Sequence, residues 1–380
     1  MHILIGADIC VTDKDMDKFI DGKIEEILDE RLINILNQAD YRIFNLEGPI
    51  TVKSKPIEKF GPNLKMPLST INGIKQLHPS LLTLANNHIM DYGEDGLMDT
   101  ISTLREAQID YVGVKVSKEE NIKYYTIDRG SFRIAVYACA EHEFSIAEND
   151  RLGANPYDPI DTIEDIRKLK SIFNYVFVLY HGGKECYRYP SPELQHSFRA
   201  MARAGADLVV AQHTHCIGCY ELYQNSYLIY GQGNFIFDLK NDEYWKSGML
   251  LDLEISEEKY HVNFIPFTRQ NGLIKISEEN TILKEFFDRS QKVHDSSFVY
   301  KKYKEFINNH YVDYLAKIKR ENITLKVLRK IGAFKIYNHL YFRRNELTKL
   351  LNYVSCESHR ESLIESIKYL MRSNGIENKW

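Results

Sequence analysis

The chain has 380 residues, 44% of them hydrophobic and 25 of them tyrosine, which is enough apolar material for a packed core and excludes disorder. Its formal net charge of −4 is unevenly spread: residues 1–270 carry 28 basic against 40 acidic side chains, a balance of −12, and residues 271–380 carry 21 against 13, a balance of +8. An acidic first part repels a phosphate backbone, so nucleic acid is not an expected partner.

Met1 leads into His2-Ile-Leu-Ile5 with no basic stretch and no small-residue cleavage site. No window reaches about 18 consecutive apolar residues. Neither a signal peptide nor a transmembrane segment is expected, and the predicted location is the cytoplasm or its membrane periphery. Six cysteines are scattered at 10, 139, 186, 216, 219 and 356. Cys216 and Cys219 form a lone CxxC without a second pair at zinc-ribbon spacing, so free thiols are expected.

The first part repeats one pattern, an apolar run ending in polar residues able to ligate. It appears as Ile3-Leu-Ile-Gly-Ala-Asp8, then Arg42-Ile-Phe-Asn-Leu-Glu47, then Leu81-Leu-Thr-Leu-Ala-Asn-Asn-His88. It returns as Val176-Phe-Val-Leu-Tyr-His-Gly-Gly183, as Leu208-Val-Val-Ala-Gln-His-Thr-His215, and as Tyr227-Leu-Ile-Tyr-Gly-Gln-Gly-Asn234. In open α/β sheets ligands bind beyond the carboxyl ends of the strands, so six such ends predict one shared site.

Helical spacing over Phe19–Gln38 and over Gly96–Gln108 fills the intervals between these runs. Ser191, Pro192 and Gly205 punctuate a helix before the fifth run. Alternation at Tyr124–Ile127, Phe132–Ala138, Gly248–Ile255 and His261–Phe267 predicts further strands, some antiparallel. An α/β fold with two packed mixed sheets follows. Beyond about residue 270 the strand pattern stops, and Ile282–Asn309, Val312–Arg320, Thr324–Ile331 and Leu347–Met371 read as helical. The predicted organisation is therefore a domain over 1–270 and a basic helical extension over 271–380, packed on the first part or folded separately.

One Asp, one Glu, one Asn and three His at the strand ends suit two divalent ions. Glu47 offers two carboxylate oxygens to bridge them, Asp8 holds the first, and the Asn87 carbonyl is a neutral ligand. His181, His213 and His215 supply nitrogens. Mixed N/O ligation points to Mn, Fe or Zn rather than Mg or Ca. Two such ions lower the pKa of a shared water and clamp the oxygens of a phosphoryl or acyl centre.

The set Gly6-Ala-Asp8, Asn45-Leu-Glu47, Ala85–Leu97 with its Asn-Asn-His-Ile-Met-Asp core, His181-Gly-Gly-Lys-Glu185, Ala204–His215 and Tyr230-Gly-Gln-Gly-Asn-Phe235 resembles the CapA family. These are bacterial proteins linked to capsule and poly-γ-glutamate synthesis, with a calcineurin-like metallophosphoesterase fold. The resemblance covers about residues 1–270 and leaves out the helical extension. It implies a four-layer α/β/β/α metallophosphatase-like sandwich, with Asp8, Glu47, Asn87, His181, His213 and His215 as metal ligands and His88 as general acid. Two positions depart from the metallophosphoesterase pattern. Cys10 stands where a histidine is usual, and Glu47 stands where the bridging residue is usually Asp. Both leave the metal site better supported than phosphatase activity.

Cys10 either ligates as a thiolate or is a buried structural thiol, and four further positions are candidates. His142, flanked by Glu141 and Glu143, lines the substrate mouth or is a plain loop histidine. Glu185 orients a ligand through its carboxylate. Asp91 orients His88 or caps the following helix. Asn234, in a glycine-flanked turn, shapes backbone near the site. The predicted function is a CapA-like metal-dependent hydrolase acting on an anionic polymer or a phosphoester. Its rival is a non-catalytic accessory that binds metal, polymer or a polymer-synthesis partner protein.

Overall fold

The computed structural model describes every residue except 149, 279, 319–322, 334, 335, 337–343, 357, 361, 365 and 368–380. The chain forms two compact units, Met1–Tyr303 and Lys304–Trp380.

In the first unit, an eight-stranded sheet is built on parallel β1 (His2–Ile9), β2 (Tyr41–Leu46), β3 (Leu81–Thr83) and β4 (Asp110–Val112). A small sheet joins β5 (Val114–Lys115), β6 (Asn121–Ile122) and β9 (Gly153–Ala154). The second large sheet has β7 (Tyr124–Asp128), β8 (Arg133–Ala140), β10 (Tyr175–His181), β11 (Leu208–Gln212), β12 (Tyr220–Tyr223) and β13 (Ser226–Ile229). Its order is β12-β13-β11-β10-β8-β7, with the four central strands parallel and both edges antiparallel. The chain then returns to the first sheet through β14 (Asn234–Ile236), β15 (Ser247–Ile255), β16 (Tyr260–Gln270) and β17 (Leu273–Ile276). That sheet is ordered β17-β16-β15-β1-β2-β3-β4, with β14 also paired to β1.

Alternation along the strands explains the layers. Ile134, Val136 and Ala138 of β8, with Phe177 and Leu179 of β10, belong to the same buried cluster as Ile3, Ile5 and Ile43 of the first sheet. Their neighbours Ala135, Tyr137, Val176 and Val178 face the other way. They pack with Ile166 and Leu169 of α5 (Asp161–Lys170) and Phe198 and Met201 of α6 (Pro192–Ala204). Earlier in the chain, α1 (Met16–Asp21) packs on α3 (Ile71–Gln76). With Leu32 and Leu36 of α2 (Glu30–Gln38) and Leu97, Ile101 and Leu104 of α4 (Gly93–Glu106), they complete the first sheet's side of the core. Helix, sheet, sheet and helix thus form the four-layer α/β/β/α sandwich that the resemblance implies.

Several local expectations change. The stretch Phe19–Gln38 is two helices and a short 3-10 turn, Ile24–Glu26, rather than one helix. Gly22 ends α1 in the left-handed region at φ +72°, and Asp29 starts α2 by accepting from Leu32 N at 2.8 Å. Tyr227–Asn234 is a crossing between sheets: β13 stops at Ile229, and Asn234 opens β14 in the other sheet. Gly231 and Gly233, at φ +142° and +77°, make that bend. Strand structure also continues past 270, because β17 closes a hairpin on β16.

The punctuation of α6 is as expected, with Ser191 Oγ accepting from Leu194 N at 3.1 Å, Pro192 in the first turn and Gly205 at φ +114°. Ile282–Asn309 falls in two helices, α7 (Asn280–Val293) and α8 (Ser296–Ile318), because Asp295 caps the second by accepting from Ser297 N at 2.8 Å. Phe286 of α7 stacks on Tyr220 and meets Phe264 at a tilt. In Lys304–Trp380 the described residues include helices Ile323–Lys330 and Arg344–Ser355. The end of the expected helix Leu347–Met371 lies outside the described residues. Among the described residues no helix is long and apolar enough to cross a membrane.

Candidate metal centre

Strand register brings the predicted ligands together. β1 beside β2 pairs Asp8 with Asn45, and β1 beside β14 pairs Asp8 with Asn234. In the other sheet, β10 beside β11 pairs His181 with Gln212, the residue before His213. The two sets of carboxyl ends meet at the seam between the sheets. Asp8 Oδ1 accepts from Asn45 Nδ2 at 2.8 Å, and Oδ2 accepts from the backbone N–H of His213 at 3.1 Å. The same Asn45 amide lies 3.2 Å from His181 Nδ1. His181 Nε2 in turn lies 3.0 Å from Asn87 Oδ1 and 3.8 Å from Glu47 Oε1.

Glu47 is the anomaly of this network. It is fully buried, no donor group among the described residues reaches either carboxylate oxygen, and the group it meets is another acid, Asp8. His213 Nδ1 and Asn234 Nδ2 are also buried without a partner. Unsatisfied buried carboxylate oxygens are costly unless something cationic completes them. One ligand atom each from Glu47, His213 and His215 lies within 4.8 Å of the others. Burial, with Asp8 beside it, raises the Glu47 carboxyl well above its usual range. Burial likewise raises Asp8. It pushes His213 and His215 down to about 4, and His181 well below its usual value. The imidazoles are therefore neutral at neutral pH, the form that ligates. Orphaned buried oxygens beside neutral imidazoles fit a divalent cation.

The two loop histidines sit in strained backbone, His213 at φ +80° and His215 at φ +54°. Gly231 fits against this loop as only glycine does, since a Cβ there would stand 2.6 Å from Thr214 Oγ1 and 2.7 Å from the Cys216 carbonyl. His215 Nδ1 meets Asn234 Oδ1 at 2.8 Å, and its ring stacks on Trp245 at 4.4 Å between centroids. Asn234 thus turns a candidate ligand as well as shaping backbone. Cys10 packs with Phe237 and Trp245 in a small apolar cluster. Burial, with Glu47, Asp91 and Asp8 adding to it, pushes its thiol well above the usual value. Cys10 is thus a buried neutral thiol, not a thiolate.

His88 stands on a separate support. Its Nδ1 lies 2.7 Å from Asp91 Oδ2 and 3.1 Å from Lys59 Nζ, and Lys59 is also paired with Asp91 Oδ1. Asp91 accepts from Leu64 N at 2.6 Å as well. The Lys59 side chain is 2% exposed. Nothing in its sequence surroundings, a polar stretch without periodicity, singles Lys59 out. Asn45 and Asn86 were also without an assigned role; Asn86 Oδ1 accepts from His88 N at 3.1 Å and its Nδ2 donates to the Leu46 carbonyl at 2.8 Å. Adjacency to Glu47 and to Asn87 was the available signal for these two.

Of the remaining candidates, Glu185 approaches His213 Nε2 at 3.9 Å. Burial pushes its carboxyl up, but His213, His215, Lys184 and Lys240 outweigh this and hold it below its usual range. His142 is exposed and lines a different cleft with Glu141 and His196. Its neighbour Glu143 reaches the centre instead, accepting from Asn87 Nδ2 at 2.9 Å.

The model of the family "Bacterial capsule synthesis protein PGA_cap" matches residues 8–239. The capsule biosynthesis protein CapA of Bacillus anthracis is 31% identical over 212 residues, which cover 53% of this chain and 52% of that protein. The PGA biosynthesis protein CapA of Bacillus subtilis (strain 168) is 29% identical over 209 residues, 54% of this chain and 55% of that one. A Mycobacterium tuberculosis relative named "probable polyglutamine synthesis accessory protein" is 26% identical over 223 residues, 55% and 59% of the two chains. The chain spans about half the length of the curated relatives it matches.

Proposed function

We propose, since the chain belongs to the PGA_cap family of bacterial capsule synthesis proteins, that it is a metal-dependent hydrolase of the phosphoesterase type acting in capsule or poly-γ-glutamate synthesis. The observation that carries this reading is Glu47: a buried carboxylate with two unsatisfied oxygens, ringed by neutral His181, His213 and His215. Asp8, Glu47, Asn87 and the three histidines would hold two divalent ions, Mn, Fe or Zn. Such ions supply positive charge that activates a water and stabilises the charge developing on an attacked phosphoryl or acyl group.

The chain's own groups do the rest. Asn45 fixes Asp8 and His181 across the seam, so that both present one geometry. Asn234 and Trp245 fix the plane of the His215 ring. Asp91, itself paired with Lys59, accepts from Nδ1–H of His88, so that Nε2 of the charged ring can give a proton to a leaving-group oxygen.

A second reading has its own support. Cys10 is a neutral thiol where metallophosphoesterases usually carry a histidine, which favours an accessory protein that binds metal and polymer without turnover. Loading purified protein with Mn²⁺, Fe²⁺ or Zn²⁺ and measuring metal content is expected to give more than one ion per chain. A panel of phosphoester and γ-glutamyl substrates with Mn²⁺ then separates the readings. A loaded protein that turns over none of them is the accessory, and a protein that stays metal-free overturns both.

A further inference from the structure

A basic cleft of about 490 Å³ lies beside the metal centre, lined by Lys14, Asp238, Lys240, Lys246, Arg269 and Asn271 among others. Its walls come from the segments after β1 and β14, the strands that carry Asp8 and Asn234, and from the β16–β17 turn. In a part of the chain with a balance of −12, four bases around one cleft run against the local charge. Their charge is only partly used. Lys14 pairs with Asp238 at 2.9 Å, and Arg269 Nη1 pairs with Asp15 at 2.7 Å. Arg269 is 10% exposed, and its Nη2 is buried with no hydrogen-bond partner. Lys240 and Lys246 are exposed and form no ion pair among the described residues. Lys240 links the cleft to the candidate centre by contact: its Nζ lies 5.3 Å from the Trp245 ring, and that ring stacks on His215.

We propose that this cleft is an anion subsite, taking a carboxylate or phosphate group of an extended polyanion whose reacting group lies at the metal centre. The contacts run from Lys240 through the Trp245 ring to His215, which suits neighbouring acidic groups on one chain rather than a small monoanion. The proposal deepens the hydrolase reading and rests on it for the position of the reacting group. Trp245 then has two contacts with function, steadying a candidate ligand on one side and a substrate-facing lysine on the other.

Calorimetric titration of the metal-loaded full chain tests it with two probes, an oligomer of glutamate and inorganic tripolyphosphate. Wild type is expected to bind at least one of them, more weakly as salt rises, because the pairing is between exposed charges. Lys240→Glu with Lys246→Glu is expected to weaken that binding about tenfold or more, since it sets like charges against the ligand. Loss with the glutamate oligomer identifies a carboxylate ligand, and loss with tripolyphosphate a phosphate ligand. Both lysines are exposed, so the fold is expected to hold; if the double variant melts early, Lys240→Ala with Lys246→Ala replaces it. Wild type that binds neither probe, or a folded variant of unchanged affinity, overturns the subsite. The titration needs no turnover. A protein that binds through these lysines and hydrolyses nothing would therefore sink the hydrolase reading alone.

Discussion

His88→Ala is expected to keep its metal and its fold while losing about 10²–10⁴-fold in turnover, the usual contribution of a positioned acid or base. The division of labour follows from the contacts. The predicted ligands surround Glu47, whereas Nδ1 of His88 is committed to Asp91 and Lys59. Removing the imidazole thus takes away a proton donor without opening the ligand set. The loss corresponds to about 3–5 kcal/mol of transition-state stabilisation, at about 1.4 kcal/mol per tenfold. It should be largest on a substrate with a poor leaving group, where protonation matters most. Full turnover by His88→Ala on such a substrate would remove the general-acid role. Loss of metal from the same variant would make His88 a ligand instead.

Glu47→Gln is expected to act in opposite directions on the two forms of the protein. In chelator-treated protein the substitution should stabilise. The Glu47 carboxyl is held well above its ordinary value of 4.5, so the folded state resists an ionisation that the unfolded chain accepts freely. The sign is that of a raised acid: its penalty is absent below pH 4.5 and grows above it, by at most about 1.4 kcal/mol per pH unit. Glutamine escapes this penalty, so the variant should melt later than wild type near pH 7 and level with it near pH 4. In metal-loaded protein the order reverses. A ligand that binds only the native state adds about 2.7 kcal/mol at a hundredfold over its Kd, and Glu47→Gln forfeits most of that. Melting curves with and without Mn²⁺ read both effects. A variant that is less stable than wild type in chelator would mean that the carboxylate is a structural partner, and the metal-site reading would fail.

The amount legible from sequence follows from how local each signal is. Strand runs that end in Asp8, Glu47, His181 and His213 declare themselves, because a buried parallel strand must be apolar and its carboxyl end need not be. The fifth run and the helix before it were readable to the residue at Ser191 and Gly205. What stayed hidden depends on partners distant in the chain. Lys59 is one lysine in a polar loop, and only the packing of Asp91 and Leu64 makes it a buried one. Tyr227–Asn234 looked like another strand because it begins in β13 and ends on the first residue of β14, which lies in a different sheet. The basic cleft was invisible for the same reason, since Lys14, Lys240 and Arg269 share nothing in sequence.

The seam between the sheets has a kinetic consequence. Asp8 and His213 are separated by 205 residues, Asn45 and His181 by 136, and Asn87 and His181 by 94, yet each pair is in hydrogen-bond contact. Contacts of such long range form late, after the loop entropy of both sheets has been overcome. The ligand set therefore does not exist in an early folding nucleus, and ions bound there cannot speed the approach to the native state. Ions held there would act on the way out, because unfolding has to part these pairs, and they would lengthen the protein's lifetime by slowing that opening.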